Sequence, residues 1–295
     1  MKIALCPLVS RDLYKAIRAT NSCRNQFPTE SLEIETVAIV NSKNEQFIDE
    51  FCSWCENENV RYVITESNGT PSKGKNSVLN FLRNSEFDGV SMTDGDDLFY
   101  PTGLRQIEKH LQHHPTTDCL IVKPSDQVTN SKCDHTTEIK PNCYASCWGM
   151  NIVKLGYIYG AGKSHIFTHG HVAARNLGGH VFYSKKLSNL VAYDEEQLLG
   201  EDLLLEFNML KLHQEGKICF WLSFASDVQM LDRTEQDSIQ YTKNGSDGRF
   251  MFERLLQKVR EILPEHRSSF EELPVQFPEL LFQHEQKIEW LKKVF

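Results

Sequence analysis

The chain has 295 residues, of which 40% are hydrophobic and 24% charged, and this composition is typical of a globular protein with a sizeable core. Its 40 acidic and 32 basic residues give a formal net charge of −8, which does not favour a chain-wide electrostatic attraction to nucleic acid. No apolar run reaches the roughly 20 residues that span a bilayer, and the first residues lack the apolar stretch of a secretory signal. The nine cysteines have no framework spacing and favour reduced thiols. We therefore expect a cytoplasmic protein.

Short apolar runs alternate with helical patterns through the first hundred residues. Strand and helix candidates follow in the order strand, helix, strand, helix, strand, loop, helix, strand. Their bounds are 3–8, 11–25, 34–41, 45–56, 60–65, 67–74, 76–83 and 87–93. This alternation predicts βαβ units, and hence an α/β fold with a mostly parallel, Rossmann-like sheet flanked by helices. Ligands of such sheets bind at the carboxyl ends of the strands.

The pattern is looser after about residue 125. A short strand is predicted at 181–183, and residues 198–213 have a strong helical pattern. The character changes again from residue 248, with an apolar helical stripe over 252–263 and one or two further helices at 279–295. We therefore expect a helical extension at the C-terminal end.

Three carboxylates, Asp94, Asp96 and Asp97, lie within four residues directly after a predicted strand. Like charges this close repel one another unless a positive group compensates them. An EF-hand calcium loop is excluded, because Leu98 and Phe99 occupy the positions that need an oxygen ligand and a glycine. One interpretation is a divalent metal held by one or two carboxylates and the phosphates of a substrate, as is usual for Mg²⁺. The alternative is a solvated acidic turn.

A second acidic pair, Glu201 and Asp202, stands at the start of the predicted helix at 198–213. Carboxylates are stabilised there by the exposed N–H groups and the helix dipole, so simple capping is one interpretation. The other is a general base at the edge of the sheet, which takes a proton from an acceptor hydroxyl.

Five short motifs follow one another in a recognisable order. They are Pro7 with Ser10-Arg11, Asn41-Ser42, Gly69 to Lys75-Asn76, Asp94-Gly95-Asp96-Asp97, and Tyr193-Asp194-Glu195 with Gly200-Glu201-Asp202. Their order and spacing resemble the GT-A-fold glycosyltransferases, in particular the inverting family 2 enzymes, over roughly residues 1–235. The resemblance implies a nucleotide-sugar-binding half at 1–125, an acceptor and catalytic half of the same domain at 126–235, and the helical extension at 236–295. It also implies transfer of a sugar to an acceptor hydroxyl with inversion.

The resemblance implies a role for individual residues. Asp96 and Asp97 would hold Mn²⁺ or Mg²⁺ against the diphosphate, Asp202 would be the general base, and Glu201 would orient it or the acceptor. The residues expected to contact the donor are Pro7, Ser10, Arg11, Asn41, Lys75, Asn76, Asp94, Asp96 and Arg233. A UDP-sugar is the expected donor, although Asn41 and Ser42 stand where many relatives carry an acidic residue that reads uracil, so the base stays open.

Two other functions are compatible with the same residues. A nucleotidyltransferase on a related sheet also uses carboxylates and Mg²⁺, but the loop after the first strand lacks its glycine-rich signature. A non-catalytic nucleotide-sugar-binding module is the other alternative. The acceptor is open between a glycan, a lipid-linked sugar, a protein and a hydroxymethylated base in phage-type DNA. A basic face would favour DNA, and its candidate residues are Lys154, Lys163, Arg175, Lys185 and Lys186. A zinc site is a further hypothesis, from Cys133, His135, Cys143 and Cys147.

Overall fold

The structure is a computed structural model that describes residues 1–122, 126–128, 139–141, 180–197, 201–223, 229–231, 272–273, 286 and 289–290. In this part of the chain the strands are β1 (Lys2–Val9), β2 (Glu33–Val40), β3 (Arg61–Ile64), β4 (Gly89–Asp94), β5 (Asp97–Phe99), β6 (Cys119–Val122), β7 (Asp126–Val128), β8 (Ile139–Pro141), β9 (His180–Ser184), β10 (Phe220–Ser223), β11 (Gln229–Leu231) and β12 (Glu272–Leu273). The helices are α1 (Leu13–Arg24), α2 (Glu45–Asn57), α3 (Pro71–Asn84), α4 (Gly103–His113), α5 (Lys185–Ser188) and α6 (Glu201–Gln214).

Eight of the strands form one large sheet in the order β12-β10-β6-β9-β4-β1-β2-β3. All neighbouring pairs are parallel except those of β9, which runs antiparallel to both β4 and β6. A smaller sheet has the order β5-β11-β7-β8. The prediction of a mostly parallel sheet flanked by helices is thus confirmed.

The central strands are buried on both faces, which explains why their sequences are nearly continuous apolar runs. Ile3, Leu5 and Ala4 of β1 alternate between two apolar clusters on opposite sides of the sheet. Cluster members from α3, including Val78 and Leu79, cover one side, and Leu104 and Ile107 of α4 cover the other. The sheet is therefore held between helices, and its strand ends are fixed relative to one another.

Helix α3 begins five residues earlier than the sequence pattern predicted. The side chain of Thr70 accepts a hydrogen bond from the backbone N–H of Lys73, and Pro71 occupies the first helical turn. Both are favourable at a helix start, because the cap satisfies a free N–H and proline has none to leave free. The prediction of a loop through residue 74 was therefore wrong, and Lys75 and Asn76 lie on the first turns of α3.

The C-terminal region contributes to the same fold. Strand β12 pairs in parallel with β10 at the edge of the large sheet. Trp290, 7% exposed, packs on the fully buried Tyr100 with 5.2 Å between the ring centroids. The predicted apolar stripe at 252–263 lies outside the described residues. Within the described part of the chain, no helix is both long and apolar enough to cross a bilayer.

Candidate active site

The carboxyl ends of β1, β2 and β4 lie side by side. Leu8 of β1 is in register with Asp94 of β4, and Val9 is in register with Val40 of β2. The chain segments that follow these strands therefore meet at one edge of the sheet, as predicted for a parallel α/β fold. Of the predicted donor residues on the first segment, Pro7 is buried within β1, while Ser10 and Arg11 are exposed beyond it.

The three aspartates lie where the chain passes from one sheet to the other. Asp94 ends β4 of the large sheet, Asp97 begins β5 of the small sheet, and a two-residue turn joins them. One carboxylate oxygen from each of Asp94, Asp96 and Asp97 lies within 4.8 Å of the other two. Asp97 is 1% exposed, whereas the other two are half-buried. Three converging carboxylates are the oxygen donors that Mg²⁺ and Mn²⁺ prefer, so this set fits a divalent cation.

Gly95 allows the acidic turn to lie directly against β1. A Cβ atom at this position would be 2.6 Å from the carbonyl oxygen of Leu8 and 3.0 Å from the Cα of Val9. Both atoms belong to backbone, which cannot move away as a flexible side chain can. The glycine is therefore required by the close approach of two backbone segments.

Replacing Gly95 with alanine is expected to destabilise the protein by roughly 1–3 kcal/mol, because the methyl group must displace β1 or the turn. The same displacement should separate the three carboxylates and weaken metal-dependent nucleotide binding. Urea unfolding and calorimetric titration would measure the two effects. Ser91→Ala on β4, the strand that leads into the turn, is the control, since the buried Ser91 hydroxyl has no hydrogen-bond partner among the described residues. A Gly95→Ala protein as stable as this control would contradict the argument.

Lys75 brings the second acidic pair to the same edge. Its Nζ lies 2.6 Å from both carboxylate oxygens of Asp202 and 3.1 Å from Oε1 of Glu201. All three residues are at least nine-tenths buried. The two acidic residues occupy the first turn of α6, where the helix dipole also stabilises negative charge. A buried salt bridge of this kind persists because either charge, if buried without its partner, would destabilise the folded protein.

The electrostatics of this cluster extend to the acidic turn. Burial by itself lowers the pKa of Lys75, but the charges of Asp202, Glu201 and Asp94 more than offset it, so the pKa lies above its ordinary value. Burial raises the pKa of Glu201, and Lys75 partly opposes this shift. Lys75 is therefore a cation under physiological conditions, and Asp94 of the acidic turn attracts it in addition to the acidic pair.

The start of α3 also holds the segment that precedes α6. Asn76 donates from Nδ2 to the carbonyl oxygen of Tyr193 at 2.9 Å, and its Oδ1 accepts from the Tyr193 backbone N–H at 2.8 Å. Ser72 donates from its hydroxyl to the carbonyl oxygen of Gln197 at 3.1 Å. Lys73 lies 3.7 Å from Glu195. Residues 72–76 thus hold residues 193–197 and 201–202 through both backbone and side-chain contacts.

The side chain of Asn41 forms hydrogen bonds within the protein in the same region. Its Nδ2, with two N–H donors, lies 2.9 Å from the hydroxyl oxygen of Thr65, 2.9 Å from the carbonyl oxygen of Glu66 and 3.2 Å from the hydroxyl oxygen of Ser77, so these three acceptors share the two donors. The neighbouring Ser42 donates to the carbonyl oxygen of Ser10 at 2.5 Å. These bonds tie the segments after β1, β2 and β3 to α3.

The structure brings most of the predicted residues to one edge of the sheet, but the internal bonds of Asn41 and the contacts of Lys75 and Asn76 were not anticipated. The sequence interpretation directed Lys75 and Asn76 toward the nucleotide, whereas in the structure Lys75 contacts residues 201–202 and Asn76 contacts residues 193–195. The sequence signal for this pairing was five carboxylates in two clusters and one lysine in the motif that precedes both. Arg233, three of the five candidate basic residues (Lys154, Lys163 and Arg175), and the four candidate zinc ligands lie outside the described residues.

No protein-family model and no curated protein sequence matches this chain. Solved structures do match it. One is the S. aureus protein TarS, at 15% identity over 91% of this chain and 41% of that chain, with a TM-score of 0.56. A TarS 1–349 structure in complex with UDP matches at 15% identity, over 91% of this chain and 67% of that chain, with a TM-score of 0.55. This chain thus spans less than half the length of the TarS chain in the first of these structures.

A third match is glucosyl-3-phosphoglycerate synthase from Mycobacterium tuberculosis, in complex with Mn²⁺, UDP and glucosyl-3-phosphoglycerate. It has 9% identity over 94% of this chain and 88% of that chain, with a TM-score of 0.57. These proteins are glycosyltransferases of GT-A type. At such identities the likeness concerns the fold, and the predicted GT-A-like fold is confirmed at that level.

Proposed function

We propose that this protein is a metal-dependent glycosyltransferase that moves a sugar from a nucleotide-sugar donor to an acceptor hydroxyl with inversion. The observation that carries the proposal is the meeting of two acidic clusters at one sheet edge. Asp94, Asp96 and Asp97 form the first, and Glu201 and Asp202 form the second, which Lys75 bridges while it is also attracted by Asp94. The GT-A-like fold supports the same function.

The acidic turn is suited to the diphosphate of the donor. Asp96 and Asp97 would hold Mn²⁺ or Mg²⁺, which would neutralise the charge that develops on the departing diphosphate. Asp94 would contact the ribose or the base. Ser10 and Arg11 are exposed just beyond the end of β1 and would also contact the donor. Arg233 stays a proposed phosphate ligand on sequence grounds.

Asp202 is suited to accept a proton. Its carboxylate is buried and held by Lys75, which excludes water and fixes its orientation. As general base it would take the proton of the acceptor hydroxyl while that oxygen attacks the anomeric carbon opposite the diphosphate. Attack from the opposite face inverts the configuration. Glu201 would orient Asp202 or the acceptor.

The proposed donor is a UDP-sugar, because TarS and the M. tuberculosis synthase have been crystallised with UDP, and TarS 1–349 with UDP-GlcNAc. The proposed acceptor is a glycan or a hydroxymethylated DNA base. For DNA, a basic face is needed. Of its candidate residues, Lys185 donates to the carbonyl oxygen of Ser85 and Lys186 forms an ion pair with Asp118 at 3.0 Å. These two contacts favour a structural role for both lysines.

The proposal predicts that UDP stabilises the protein only when Mn²⁺ or Mg²⁺ is present. A ligand at about 100 times its Kd raises the free energy of unfolding by roughly 2.7 kcal/mol, which a thermal-shift assay detects. UDP, GDP, CDP and their glucose conjugates would be compared with and without each metal. Stabilisation by nucleoside triphosphates alone, with release of pyrophosphate, would instead show a nucleotidyltransferase. Metal-dependent binding without any turnover would show a non-catalytic module.

A further inference from the structure

Lys75 uses its entire hydrogen-bonding capacity within the protein. An ammonium group has three N–H donors. Three carboxylate oxygens lie within hydrogen-bond distance of its Nζ, two from Asp202 at 2.6 Å and one from Glu201 at 3.1 Å. While these contacts hold, Lys75 has no donor for a phosphate of the substrate. Its role must therefore be exerted through the acidic pair.

The surroundings of Lys75 restrict where its ammonium can lie. Its side chain is 5% exposed, and the ring of Tyr193 lies 5.4 Å from Nζ. The phenol of Tyr193 is itself hydrogen-bonded to that of Tyr183 at 2.8 Å. The backbone of Tyr193 is held at both N–H and C=O by Asn76, the next residue of α3. The ammonium is thus set against the acidic pair by packing as well as by charge.

The two carboxylates would not keep this arrangement alone. Glu201 and Asp202 are adjacent in sequence and nearly buried, so their negative charges repel each other where water screens them poorly. Lys75 bridges them and donates to both carboxylate oxygens of Asp202, which fixes the plane of that carboxylate. A general base that must meet one hydroxyl in a defined direction depends on such fixation.

We infer that Lys75 is a positioning residue, which orients the carboxylate of Asp202 and keeps it apart from Glu201. This inference rests on the proposed function, in which Asp202 acts as the general base. Lys75 then contributes to turnover and not to binding of the donor.

Four variants separate positioning from simple charge balance. Lys75→Met removes the bridge. Lys75→Met combined with Glu201→Gln also removes the bridge, but it takes away one charge of each sign and so keeps the net charge of the cluster. Glu201→Gln alone keeps the bridge to Asp202. Lys73→Met is the matched control, because it removes a lysine from the same helix turn whose partner is Glu195.

The measurement is hydrolysis of UDP-glucose and UDP-N-acetylglucosamine with Mn²⁺, with kcat and KM determined separately. Thermal unfolding would verify that each variant is folded. We expect the double variant to unfold near the wild-type temperature. Its kcat should lie at least about 10-fold below that of Glu201→Gln, which is part of the roughly 10²–10⁴-fold that a general base supplies. The KM of the double variant for the donor should stay within about twofold of that of Glu201→Gln, because binding of the donor itself is unchanged. Lys73→Met should match the wild type.

The outcomes distinguish a failure of the inference about Lys75 from a failure of the proposed function. A double variant with the kcat of Glu201→Gln would overturn the inference, because charge balance alone would then explain Lys75. A raised KM with unchanged kcat would also overturn it and would place Lys75 on the donor. If the wild-type protein hydrolyses neither nucleotide sugar and binds no UDP with metal, the proposed function itself fails.

Discussion

Replacing Asp202 with asparagine is expected to lower the turnover of the UDP-sugar donor by about 10²–10⁴-fold, the usual contribution of a general base. The amide keeps the shape of the carboxylate and cannot accept the proton of the acceptor. Lys75 keeps its contact with Glu201, so the buried cation retains one partner. Binding of UDP with Mn²⁺ should be unchanged, because the residues that would hold the diphosphate lie in the acidic turn. Steady-state kinetics and calorimetric titration would measure the two quantities.

The appropriate control for this variant is Glu195→Gln. Glu195 also lies on the segment that α3 holds, accepts a hydrogen bond from Asn76 at 3.0 Å and is 3.7 Å from Lys73. It should keep nearly full turnover. If Asp202→Asn also keeps full turnover, another group removes the proton and the assignment of Asp202 is wrong.

Replacing Asp96 with asparagine is expected to change stability in opposite directions with and without ligand. In the free protein, the substitution removes one of three carboxylates whose oxygens lie within 4.8 Å of one another, so the repulsion falls and the unfolding temperature should rise. With Mn²⁺ and UDP, the variant should lose most of the roughly 2.7 kcal/mol that saturating ligand supplies. Differential scanning calorimetry under both conditions would test this.

A simple structural role would give a different result. If the three carboxylates only capped a turn, Asp96→Asn would change the stability of the free and the ligand-treated protein by the same amount. Asp49→Asn, an exposed change on α2, serves as the control and should affect neither condition. The sign difference is informative because few unrelated effects stabilise a free protein while they abolish its response to a ligand.

The first half of the fold could be predicted because its elements carry strong local patterns. The second strand was expected at 34–41 and lies at Glu33–Val40, and the second helix was expected at 45–56 and lies at Glu45–Asn57. The start of α3 could not be predicted in the same way. Its first turn contains no apolar periodicity, and only the local chemistry of Thr70 and Pro71 indicates a helix there.

The candidate site could be predicted in part. The acidic turn was apparent because its three aspartates are neighbours in the sequence. The pairing of Lys75 with Glu201 and Asp202 was not, since 126 and 127 residues separate the partners and no local pattern reports a contact at that range. The internal bonds of Asn41 are similar, because they depend on how α3 packs over β2 and β3. Tertiary packing determines such contacts, and the identities of the single residues do not predict them.

The placement of β9 has a consequence for how the molecule unfolds. In the large sheet as described, β9 alone joins the block β4-β1-β2-β3 to the block β6-β10-β12, and along the chain it follows β6 and precedes β10. Phe182 of β9 lies so close to Gly89 that a Cβ on Gly89 would be 2.5 Å from its ring. The two blocks of strands can therefore unfold as one cooperative unit only while the five residues of β9 stay paired with both of them. Loosening of β9 would divide a single unfolding transition into two.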